Sequence, residues 1–106
     1  MTVEEKINEK FKVYEANSKW CDMLTDELDD LFEKYDHTDT ALRDSNTYAA
    51  VKNTIDTIMQ ESGVSEYQLN SSLSEECEGD MFVADFVVSY IQDGMKTISF
   101  TIETDY

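Results

Sequence analysis

Residues 82–102 read FVADFVVSYIQDGMKTISFTI, and this stretch decides the fold. Apolar and polar side chains alternate on both sides of a short segment that contains Asp93 and Gly94. Alternation with a period of two is typical of a strand that buries one face, and an Asp-Gly pair is typical of a hairpin turn. The stretch therefore predicts two antiparallel strands joined by a short loop.

The length of that loop decides which residues face each other across the hairpin. A two-residue loop would set Tyr90 opposite Thr97 and would mix apolar with polar side chains. A three-residue loop, 92–94, matches apolar side chains: Val88 with Ile98, Phe86 with Phe100, and Ala84 with Ile102. Because opposite residues share a face, we expect the three-residue loop, with Gly94 in the left-handed bulge position.

The same register divides the side chains of the sheet between two faces. The face toward the helices is predicted to hold Phe82, Phe86, Val88, Tyr90, Ile98, Phe100 and Ile102. The other face is only half polar, because it includes Val83, Val87, Ile91 and Met95. Upstream, alternation at Tyr67, Leu69 and Leu73 predicts a further strand, so we expect a three-stranded meander.

Before Gly63 the apolar spacing changes to steps of three and four, which predicts helices. Thr2 and Glu5 form a capping-box pattern at the start of the first helix. Two apolar stripes follow in the order Val3, Ile7, Phe11, Tyr14 and then Trp20, Leu24, Leu28, Leu31, Tyr35. The polar pair at 17–18 leaves open whether they belong to one helix or two.

The segment 36–46 is rich in Asp, Thr, Ser and Asn, which predicts a loop or a loosely formed turn. A further helix is predicted from the stripe Tyr48, Val51, Ile55, Ile58 and Met59, and it ends where Gly63 precedes Val64. The expected fold class is therefore α+β, with N-terminal helices packed on a three-stranded antiparallel meander. We expect a single domain over 1–106, helical over 2–62 and with its β-meander over 66–104.

Charge limits the function more sharply than the fold does. The chain has 106 residues with 24 acidic and eight basic side chains, a formal net charge of −16. Such a protein would repel nucleic acids and anionic membranes, so we exclude direct binding to either. No apolar run approaches the roughly 20 residues of a membrane helix, and the first residues do not resemble a signal peptide. We expect a cytoplasmic protein whose two cysteines, Cys21 and Cys77, are reduced.

The negative charge is concentrated along the chain. Residues 1–19 carry equal numbers of acids and lysines, whereas 20–44 hold nine acids against Lys34 and Arg43. On a helix, five of these acids fall on one stripe opposite the apolar stripe: Asp22, Asp26, Asp29, Glu33 and Asp36. Successive side chains of this ladder are about 5 Å apart along the axis, the same order as the phosphate interval of a nucleic-acid strand, about 3.4 Å.

Stability alone does not account for this ladder. Like charges four residues apart destabilise a helix, and acids near its C-terminus oppose the helix dipole. We therefore predict a functional acidic surface that binds a protein partner. Its candidate residues are Asp22, Asp26, Asp29, Asp30, Glu33, Asp36, Asp39, Glu75, Glu76, Glu78 and Asp80.

In size, charge and the ladder Asp22-Asp26-Asp29-Glu33-Asp36, the chain resembles phage-encoded acidic DNA-mimic inhibitors of the anti-CRISPR and anti-restriction type. The resemblance implies a non-enzymatic inhibitor whose carboxylates occupy phosphate positions in the basic nucleic-acid site of a host defence nuclease. A CRISPR effector is the first target class to expect. The alternative is an immunity or antitoxin protein that neutralises a basic toxin nuclease.

Patterns for catalysis are missing from the sequence. The single histidine, His37, lacks a neighbouring nucleophile signature, and 36–47 lacks the glycine and the final acid of a calcium loop. We expect no catalytic residue, no metal and no cofactor. A structural role, with a homodimer formed through Val83, Val87, Ile91 and Met95 on the outer sheet face, is the third possibility.

Overall fold

The structure is a computed structural model that describes residues 2–11, 14–35, 38–76 and 81–104, and of 14–18, 38–39, 75–76 and 81 the backbone alone. Over these residues, helices precede a three-stranded antiparallel sheet of order β1-β2-β3, as predicted. The elements are α1 (Val3–Phe11), α2 (Tyr14–Lys34), α3 (Thr38–Arg43), α4 (Asn46–Glu61), β1 (Tyr67–Glu76), β2 (Met81–Ile91) and β3 (Met95–Glu103).

The sequence did not decide whether the two N-terminal apolar stripes belong to one helix or two, and the structure has two helices, α1 and α2. The Glu5 amide donates to Thr2 Oγ1 at 3.1 Å, so the expected cap starts α1 at Val3. The polar pair at 17–18 lies inside α2, and residues 12–13 lie outside the described part of the chain. Trp20 links α2 to α1, because its indole N–H donates to the Lys10 carbonyl at 3.0 Å. That bond satisfies a carbonyl in the last turn of α1, one of the four carbonyls at a helix end that have no partner within their own helix.

The loop predicted over 36–46 is partly wrong, since Thr38–Arg43 forms the short helix α3. Ala41 and Leu42 are both fully buried, so two apolar side chains are enough to anchor a single turn and a half. The next helix, α4, ends as predicted. Gly63 has φ +73°, and the Val64 amide donates to the Met59 carbonyl at 2.9 Å, which is the Schellman arrangement.

The hairpin between β2 and β3 has the predicted register. Val88 lies opposite Ile98, Phe86 opposite Phe100, and Ala84 opposite Ile102. Positive φ occurs at Asp93 as well as at Gly94, where it was expected; aspartate is among the few side chains that tolerate this region.

The first strand is longer than predicted. Ser74, Glu75 and Glu76 lie beyond Leu73, the last residue of the predicted alternation, and their backbones pair with β2 as the end of β1. Pairing between backbones is indifferent to side-chain polarity, so the acidic composition did not end the strand.

The core lies between the helices and one face of the sheet. Both α1 and α2 contact β3, whereas α3 contacts β1. Phe11 of α1 stacks on Phe100 at 4.1 Å, and Phe86 stacks on Phe100 at 5.1 Å. Of the side chains predicted to face the helices, Phe82 is only half-buried. The other six are buried: Phe86, Val88, Tyr90, Ile98, Phe100 and Ile102.

Candidate protein-binding surface

The surface predicted to bind a partner lies mainly on α2. The helix buries Trp20, Leu24 and Leu28 against the core, and its opposite side is exposed. We call the exposed carboxylates of this side the acidic face of α2, formed by Asp22, Asp26, Asp29, Asp30 and Glu33. No lysine or arginine occurs between Lys19 and Lys34, so no positive charge interrupts it from within the helix.

The acidic face is long enough to match several phosphates of a nucleic-acid strand. At a rise of about 1.5 Å per residue, Asp22 and Glu33 stand about 17 Å apart along the helix axis. Because α2 is a regular helix over this length, the Cα atoms of these acids hold a fixed spacing. A row of negative charges attached at regular intervals is an arrangement that a basic groove can bind.

Salt bridges within the described residues use other acids. Lys6 pairs with Glu61 at 3.7 Å, and Lys52 pairs with Asp56 at 3.8 Å. None of these bridges includes Asp22, Asp26, Asp30 or Glu33. Those four carboxylates therefore keep their charge available to a partner.

Glu27 lies within the same acidic run but has a structural role. Its two carboxylate oxygens accept the Asn46 amide at 3.1 Å and the Thr47 amide at 2.9 Å. Ser45 Oγ accepts the Tyr48 amide at 2.9 Å, so the three amides at the start of α4 are all bonded. The partners of Glu27 lie 19 residues or more along the chain, and no local sequence signal could have identified them.

Lys34 and Asp44 form a polar contact at the C-terminal end of the acidic face. Lys34 Nζ lies 3.8 Å from Asp44 Oδ2 and 5.4 Å from the centre of the Tyr35 ring. The Tyr35 hydroxyl donates to Asp44 at 2.7 Å, and this bond raises the pKa of Tyr35. The sequence placed Tyr35 in the core stripe, which is wrong: the side chain is only half-buried and it ends in this polar contact.

A second tyrosine joins the helices to the sheet through a carboxylate. The Tyr67 hydroxyl donates to Asp56 at 2.7 Å, and that bond raises the pKa of Tyr67. Burial, reinforced by the charge of Glu4, raises the pKa of Tyr90. Asp56, like Glu27 and Asp44, thus contributes to the net charge while serving the fold.

The remaining candidate residues are only partly covered by the structure. Asp36, Glu78 and Asp80 lie outside the described residues. The backbone of Asp39 lies in α3. Glu75 and Glu76 end β1, and Glu75 pairs with Phe82, whose ring lies 4.9 Å from Phe32 of α2. The acidic end of β1 is therefore at the same end of the molecule as the last turns of α2.

Within the described residues, no three His, Cys, Asp or Glu side chains converge on a point where they could hold a metal ion. None of the helices in that part of the chain is both long enough and apolar enough to cross a membrane. Comparison of the chain with protein-family models, curated proteins and solved structures finds no match.

Proposed function

We propose that this protein is a non-enzymatic inhibitor that binds the basic nucleic-acid site of a nuclease through the acidic face of α2. The observation that carries the proposal is the row of exposed carboxylates on one side of a 21-residue helix, with no basic residue among them. Arg and Lys side chains that hold phosphates can pair equally with carboxylates. The target class we propose first is a CRISPR effector or another defence nuclease in a bacterial cytoplasm.

The energetics of α2 support selection for binding over selection for stability. Asp22 with Asp26, and Asp29 with Glu33, are like charges four residues apart, and each such pair destabilises a helix by about 0.2–0.5 kcal/mol. Glu33 also lies in the last turn of α2, where the helix dipole disfavours an anion. A row that costs stability and is solvent-exposed is consistent with a role toward a partner.

The test compares two variants that change the net charge equally. Asp26→Lys with Glu33→Lys reverses two charges of the acidic face, while Glu9→Lys with Glu66→Lys reverses two exposed acids elsewhere. Each protein is titrated against a panel of purified CRISPR effectors, restriction nucleases and toxin nucleases. Substrate cleavage and binding of guide RNA or DNA are measured over a range of salt concentrations.

We expect the unmodified protein to inhibit at least one nuclease, to compete with its nucleic acid, and to lose affinity as salt rises. The acidic-face variant should weaken inhibition at least tenfold, and the control variant much less. Equal loss in both variants, or inhibition that nucleic acid does not compete, would contradict the proposal. Inhibition of a toxin nuclease alone would make the protein an immunity protein acting by the same surface.

A further inference from the structure

One edge of the sheet is built from an uncharged, strongly β-forming strand. The sheet order leaves β3 at an edge, paired only with β2 among the described residues. Between Lys96 and Glu103 its sequence is Thr-Ile-Ser-Phe-Thr-Ile, without a charge, a proline or a glycine, in a chain that is 30% charged. Soluble proteins commonly protect such edges with charges, prolines or bulges. The middle of β3 has none of these.

The pairing with β2 determines which backbone groups of β3 face outward. The Thr104 amide donates to the carbonyl of Phe82 in β2 at 2.8 Å, so Phe82 and Thr104 are a hydrogen-bonded pair. Antiparallel pairs alternate between bonded and non-bonded, and therefore the even-numbered residues of β3 bond to β2. The odd-numbered residues, including Thr97, Ser99 and Thr101, direct their N–H and C=O groups to the open edge.

We propose that β3 pairs with β3 of a second copy of this chain, in antiparallel orientation, to form a six-stranded sheet. Full overlap of Met95–Glu103 places the two-fold axis at Ser99. Thr97 then lies opposite Thr101 of the second copy, and Ile98 lies opposite Phe100 of the second copy. Thr–Thr pairs and aromatic–β-branched pairs are among those that stabilise adjacent strands.

Charge distinguishes a second copy at β3 from one at the other edge. Antiparallel pairing of β3 places Lys96 of each copy at the strand end that holds Glu103 of the other; the two exposed side chains lie on opposite faces of the sheet, but each end carries one positive and one negative charge. The same pairing at β1 would bring Glu66 toward Glu76 of the second copy, so only acids would meet. This inference does not rest on the proposed function.

The experiment measures the dimer by sedimentation equilibrium and its location by charge substitution. In the proposed pairing, Thr97→Glu with Thr101→Glu sets carboxylates opposite each other twice and should raise the dimer dissociation constant at least tenfold. Thr97→Glu with Thr101→Lys sets opposite charges across the same pairs and should restore the dimer. Gln68→Glu with Ser72→Glu, both exposed positions of β1, is the matched control and should leave the dimer unchanged.

Amide hydrogen exchange of the unmodified protein tests the same pairing without a substitution. The amides of Thr97, Ser99 and Thr101 should exchange more slowly as protein concentration rises. Those of Ile98 and Phe100 should not change, because they already bond to β2. A monomer at the highest attainable concentration, a dimer indifferent to the charged pairs, or odd-numbered amides that exchange equally at all concentrations would each overturn the proposal.

Discussion

Glu27 shows how one residue in an acidic run can differ in role from its neighbours. Its carboxylate accepts two amides at the start of α4, where negative charge is also favoured by the helix dipole. We predict that Glu27→Ala lowers the free energy of unfolding by about 1–2 kcal/mol, the usual cost of removing a helix cap, since two amides lose their acceptor. Urea denaturation followed by circular dichroism measures the change.

The neighbouring Asp26 provides the control for that prediction. It is exposed and lies on the acidic face, so Asp26→Ala should change stability little or raise it slightly. Equal destabilisation by both substitutions would show that the effect comes from helix charge and not from the bonds to α4.

Individual side-chain roles were predictable from sequence only where the partners are close along the chain. The cap at Thr2 and Glu5 spans three residues and was predicted from its pattern. The bonds of Glu27 span 19 and 20 residues, so sequence counted this residue only as one more negative charge. Tyr35 was wrongly predicted to lie in the core, because an apolar stripe does not show where the helix ends, and α2 ends at Lys34, one residue before it.

At the scale of elements, the end of α4 depends on a single glycine. Gly63 has φ +73°, and a Cβ placed there would meet nothing within 4 Å, so only the backbone conformation resists a side chain. We predict that Gly63→Ala costs about 1–2 kcal/mol of stability, the penalty for the left-handed region, as measured by thermal or urea unfolding. Gly63→Asn should cost less because asparagine tolerates this conformation. Equal cost for both variants would mean that steric contact decides the effect.

Elements with many apolar side chains at regular spacing were predictable, and short or mixed ones were not. The hairpin register followed from apolar side chains facing one another on both strands. The helix α3 was not predicted, because its two apolar residues, Ala41 and Leu42, are too few to show a periodicity, although both are fully buried. The extension of β1 through Glu75 and Glu76 was not predicted, because backbone pairing with β2, and not side-chain composition, decides where that strand ends.

For the molecule as a whole, self-repulsion should be a measurable cost. The net charge is −16, and the salt bridges between described residues are few and partly exposed. We predict that the urea midpoint of unfolding rises with added sodium chloride, because screening weakens repulsion more than it weakens these pairs. Asp26→Lys with Glu33→Lys should raise the midpoint at low salt and should flatten the salt dependence. A midpoint that falls with salt would mean that attractive pairs outweigh repulsion.

The layered arrangement and the existence of an acidic helix face were predictable because both follow from periodic spacing. Which acids serve the fold, and which groups of β3 face the open edge, depend on how distant elements meet. Glu27, Asp44 and Asp56 are examples, since each accepts a hydrogen bond from a residue in a different part of the chain. Sequence periodicity contains no information about such contacts.

The packing of Trp20 gives this molecule a built-in optical reporter. It is the single tryptophan of the chain, and its indole lies 5.2 Å from the Phe11 ring while bonding to the Lys10 carbonyl. Phe11 in turn stacks on Phe100 of β3. Fluorescence of one unlabelled side chain therefore follows the docking of α1 onto the rest of the fold, and can time that event separately from the closure of the sheet.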